Sequence, residues 1–64
     1  MASAETELEM VQRHVRQGEL HVARQLEIIA EMVLRRQSTE LAERLLVGFE
    51  SSLCAHRDHL SELI

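Results

Sequence analysis

From Ala42 to Leu63, residues able to pack recur at Ala42, Leu46, Phe49, Leu53, His56, Leu60 and Leu63, in steps that alternate four and three without a slip. That spacing is the a/d seam of a helix packed lengthwise on another helix. Such a seam on a short chain needs a second seam to cover it. The first half supplies one, because Leu8, Val11, Val15, Gly18, Val22, Gln25, Ile29 and Met32 follow the same heptad steps. The chain has no proline and only two glycines, so neither run is interrupted by a strong breaker. The expected fold is all-α: an antiparallel helical hairpin, with helices over about 4–36 and 39–63, forming one domain over residues 1–64.

The ends of the helices carry their own signals. Thr6 followed by Glu9 matches a capping box, with Ser3 as the alternative cap, and Glu5 and Glu7 suit the positive end of the helix dipole. Met1 and Ala2 are expected to fray. Glu9–Arg13 and Glu31–Arg35 have the spacing of favourable i,i+4 ion pairs. Gln37 to Thr39 is the one credible break, and Ser38 or Thr39 can cap the second helix ahead of Glu40.

A turn centred near Gln37 and Ser38 makes residue numbers of facing positions sum to about 74 or 75. This pairs Met32 with Ala42, Ile29 with Leu46, Gln25 with Phe49, Val22 with Leu53, Gly18 with His56, Val15 with Leu60 and Val11 with Leu63. Large faces small at the extremes, as close packing demands. The hairpin core is therefore expected at Val15, Gly18, Val22, Gln25, Ile29 and Met32, against Ala42, Leu46, Phe49, Leu53, His56 and Leu60. On the flanks Glu19 should face Arg57, Ile28 should face Leu45, and His14 should face His59. Gln25 reads as a polar seam residue that sets register, and Gly18 as a point of close helix approach.

Leu26, Ile28, Val33, Leu34 and Leu45 widen the apolar surface beyond one seam. A single hairpin covers one side only, so these residues are expected to form the interface of a homodimer, a four-helix bundle of coiled-coil type. Length points the same way, since 64 residues in two helices bury little apolar surface.

Candidate chemistry is sparse. His56 and His59 stand three apart on one helical face and His14 could join them, so these three are the candidate metal ligands; the competing reading is a packed His56 with solvated neighbours, and no metal is expected. Cys54 should lie on the outer side of its helix, with His56 and Arg57 directed to other faces, as a partly exposed, inert thiol. Arg13, Arg16 and Arg24 share an outer face that Glu9, Glu19, Glu27 and Glu31 dilute. Nucleophile motifs, phosphate-cradling loops and paired acid–base carboxylates are missing, so no catalytic residue and no cofactor is expected. A net charge of −4 argues against nonspecific nucleic-acid binding. A lone cysteine, no apolar run long enough to span a bilayer and an acidic N-terminal segment unlike a signal peptide point to a cytoplasmic protein without a membrane partner.

The residues His14-Val15, Gly18-Glu19, Arg24-Gln25, Thr39, Ala42, Leu45-Leu46, Phe49-Glu50, Leu53, His56-Arg57 and His59-Leu60 form a pattern that resembles short two-helix proteins of proteobacteria with no assigned activity. The likeness spans about Gln12 to Leu60, and it departs at Arg36-Gln37-Ser38, where glycine is common in that group. The architecture alone is similar to the Rop-type helical hairpin dimer, which implies a fold and not RNA binding. The function expected is non-enzymatic: a small bacterial helical protein that self-associates and serves protein interaction or assembly, with another protein as a further partner. A Rop-like RNA-binding regulator using Arg13, Arg16 and Arg24, and a His-based metal-binding bundle, are the alternatives.

Overall fold

A computed structural model describes residues 4–64. Two helices, α1 (Glu7–Leu34) and α2 (Glu40–Leu63), pack on each other as an antiparallel hairpin. The molecule measures 49 × 27 × 14 Å, so it is one helix layer thick.

The start of α1 follows from Thr6. Its backbone is extended (φ −74°, ψ 162°), its hydroxyl accepts from the Glu9 N–H at 3.1 Å, and the Glu9 carboxylate accepts from the Thr6 N–H at 3.3 Å. This reciprocal box satisfies two of the otherwise free N–H groups. It also moves the start from the expected position near residue 4 to Glu7. The alternative cap at Ser3, and Met1 and Ala2, lie outside the described residues.

The end of α1 falls at Leu34 rather than near Arg36. Arg36 has φ 56°, the left-handed region. Its N–H donates to the Val33 carbonyl at 3.1 Å, and the Gln37 N–H donates to the Met32 carbonyl at 2.9 Å. These two bonds make a Schellman motif, whose left-handed position favours glycine and here carries arginine. At the other helix Thr39 holds the cap position, and its carbonyl accepts from the Glu43 N–H at 2.8 Å. Its side chain makes no capping bond, because its backbone (φ −101°, ψ 1°) departs from the extended conformation of a side-chain cap.

Every residue expected in the hairpin core is buried or half-buried. The fully enclosed part is small, however: among the described residues Val11, Val15, Ala42 and Leu53 are the buried apolar ones, and Gln25 is the buried polar one. Leu8 and Leu63, at the open end of the seam, are 36% exposed.

The register differs from the expected one by a helical turn. A Cβ built on Gly18 would lie 3.0 Å from Leu53 Cδ1 and 3.7 Å from Leu53 Cα, so Leu53, not His56, is what Gly18 admits. The His56 ring packs at a tilt against His14 and that of Phe49 against His21, rather than squarely on Gly18 and Gln25. In each case the α2 residue meets a partner four positions nearer the start of α1 than expected. The turn explains the offset. Counting outward from Gly18 and Leu53 brings Glu40 level with Glu31, so α2 begins about 4.5 Å short of the end of α1. The Schellman reversal sends residues 37–39 back alongside α1 before α2 starts. A turn placed midway between equal helix ends does not allow for that return path.

Candidate functional site

The hairpin has two long flanks, one on each side of the seam, because positions flanking a heptad seam diverge to opposite sides. The residues expected to share an interface divide between them. Leu26 lines a groove with Val22, Ala23, Leu53 and Cys54, whereas Ile28 lines a separate one with His21, Gln25 and Phe49. Leu26, Ile28, Val33, Leu34 and Leu45 are all exposed, from 38% at Ile28 to 84% at Leu34.

The first groove has a volume of about 500 Å³ and an apolar floor. Glu19, Arg57 and Glu50 rim it, and Arg57 Nη2 comes within 3.7 Å of Glu19 Oε2. That pair is the one expected across the seam. Long side chains let it survive the change of register. Cys54 is exposed and free, and it shares this groove with Arg57, contrary to the expectation that the two diverge. A spacing of three residues on a helix keeps them on neighbouring faces.

The second groove, of about 260 Å³, lies on the other flank between His14, Gln17 and His21 of α1 and Phe49, Ser52 and His56 of α2. The rings of His14 and His56 have centroids 4.7 Å apart and planes inclined by 49°. The rings of His21 and Phe49 are 5.5 Å apart. His14 does not meet His59, the partner expected for it. His59 Nε2 lies 3.0 Å from Glu7 Oε1, at the open end of the hairpin. His14, His56 and His59 therefore do not converge, and among the described residues no three His, Cys, Asp or Glu side chains form a group that could hold a metal. The His14–His56 pair was hidden by the assumed register; the observed register predicts it directly from the positions of the histidines.

Gln25 is 7% exposed, and its Nε2 donates to the Ala42 carbonyl at 2.9 Å. This polar seam residue thus ties α1 to the first turn of α2 by a buried hydrogen bond.

The surface arginines are compromised as an anion patch. Arg13 pairs with Glu5 through two hydrogen bonds of 3.0 and 3.1 Å, not with Glu9, whose carboxylate the capping box holds. The Arg13 guanidinium hydrogen-bonded to Glu5 holds that carboxyl below the usual carboxylate range, and the carboxylate raises Arg13 in turn. Arg24 shares its surroundings with Glu27 and Glu31. The expected Glu31–Arg35 pair does not form among the described residues; on α2, Arg44 pairs with Glu40 at 2.8 Å.

Among the described residues no helix is long and apolar enough to cross a membrane. Comparison with protein-family models, curated proteins and solved structures finds no match to this chain.

Proposed function

We propose that the chain acts through protein contact rather than catalysis, as a hairpin that pairs with a second copy into a four-helix bundle and serves as a small assembly or interaction module. The observation that carries this reading is the surface left open. A compact monomer of 7.4 kDa would expose about 4,200 Å², whereas this hairpin exposes 5220 Å². The excess is that of an open, elongated hairpin, and large apolar side chains such as Leu26, Val33, Leu34, Leu45 and Val47 are part of it.

The flank around Leu26 suits a two-fold contact. Leu26, Val33 and Val47 are 51%, 61% and 62% exposed, beside the apolar floor of the larger groove. An isologous interface places that groove against its own copy, with each Glu19–Arg57 pair at the rim.

Sedimentation equilibrium tests the proposal. The expected mass is twice 7.4 kDa at micromolar concentration. The combined substitution Leu26→Glu and Val33→Glu is expected to give monomer, while Ile28→Glu, on the other flank, leaves the dimer intact. A wild-type chain that stays monomeric at tens of micromolar would refute the dimer.

A further inference from the structure

The second groove carries an inference independent of the dimer. We propose that His14 and His56 form a two-histidine site for a late first-row transition ion, with zinc as the reference case. Imidazole is a preferred ligand for zinc, nickel and copper.

The spacing of the rings supports this. A zinc–nitrogen bond of about 2.0–2.1 Å puts an imidazole centre about 3.2 Å from the ion. Two such rings have centres about 5.2 Å apart at a tetrahedral angle and about 4.5 Å apart at a right angle. The observed separation, 4.7 Å, lies near the right-angle value, the angle of an octahedral or square-planar shell, and opens to a tetrahedral one by a ring shift of about 0.5 Å. The ligands stand on different helices, so the ion bridges α1 and α2 across the seam.

Their nitrogens are available. Among the described residues neither ring hydrogen-bonds to a protein atom, whereas His59 is engaged by Glu7. Among the described residues no buried side-chain nitrogen or oxygen lacks a partner, so the free ring nitrogens of His14 and His56 open to solvent in the groove. With no third protein ligand grouped there, water completes the coordination shell. Gln17 and Ser52 line the same groove and give it polar side chains.

Zinc titration of tag-free protein, followed by the histidine ring signals in NMR and by thermal melting, tests the site. The ring signals of His14 and His56 should move together at one ion per chain, while those of His21 and His59 stay. Zinc in excess should raise the melting midpoint by about 5 °C, since it binds only the folded pair. His14→Ala and His56→Ala should each lower zinc affinity at least tenfold, and His21→Ala should not. The wild-type NMR measurement stands even if a variant fails to fold. Ring signals that stay put at millimolar zinc would overturn the proposal, as would binding at one ion per two chains or a response centred on His21 or His59.

Discussion

The two halves of the hairpin are held together differently. Toward the open end lie Val11, Val15 and Leu53, three of the four buried apolar residues among those described. Gly18 lets the helices approach closely there, and Glu7–His59 and Glu19–Arg57 cross between them. Toward the turn, Gln25 and Ala42 are the buried residues, joined by one hydrogen bond. Leu26, Val33, Leu34, Leu41, Leu45 and Val47 are exposed around them. The turn-proximal half has more large apolar side chains and encloses fewer of them. Packing density, not apolar content, therefore separates the halves, and the half next to the covalent connection is the one that leaves more large apolar side chains open.

Leu53→Ala should break this contrast most severely. It removes the side chain that fills the space Gly18 leaves, and a buried Leu→Ala change costs about 2–5 kcal/mol. Urea unfolding at fixed protein concentration measures it. Leu45→Ala, at a residue 51% exposed, should cost far less in the isolated hairpin. Equal losses at the two sites would mean that the halves are equally packed.

Gln25→Ala comes next. It removes the hydrogen bond to the Ala42 carbonyl and leaves a small void, for an expected loss of about 1–2 kcal/mol in the same measurement. Because the Gln25–Ala42 bond joins the helices beside the turn, this variant should also weaken hydrogen-exchange protection selectively in residues 22–46. Protection lost uniformly along both helices would deny the turn-proximal half a stability of its own.

How far these features were legible in the sequence follows from their range. The seam, the hairpin and the Thr6–Glu9 box were legible because each rests on spacing within a few turns of one helix. The register was not, because it depends on the path of residues 35–39, and arginine at 36 gives no signal of a left-handed turn. One turn of slippage was enough to hide both the His14–His56 pair and the Gly18–Leu53 contact. The division of Leu26 and Ile28 between two flanks, by contrast, was available from helical angles alone.

Two changes should stabilise, each by about 0.5–1 kcal/mol. Arg36→Gly relieves the left-handed arginine at the turn. Gly48→Ala gains helix propensity at no steric cost, since a Cβ there meets nothing within 4 Å. Gly18→Ala is the sharpening control in the dense half. Its propensity gain is opposed by a contact of 3.0 Å to Leu53 Cδ1, so it should gain less than Gly48→Ala. Equal thermal shifts from the two glycine substitutions would place the helices further apart at Gly18 than the structure does.

The smallest expected effect concerns the Glu5–Arg13 pair on the rim of the dense half. Both side chains are largely exposed, at 40% and 43%, so screening limits what the pair adds. Its sign is nevertheless fixed. Glu5 titrates lower in the folded chain than in the unfolded one because Arg13 is hydrogen-bonded to it. The folded state therefore binds fewer protons across the acid range. The pair's contribution is complete above the ordinary carboxylate range and is lost as pH falls through the lowered Glu5 value. Glu5→Gln should flatten the acid limb of a plot of stability against pH slightly and leave neutral stability almost unchanged. A large neutral-pH loss in that variant would mean that rim ion pairs, rather than Val11, Val15 and Leu53, distinguish the open half from the turn.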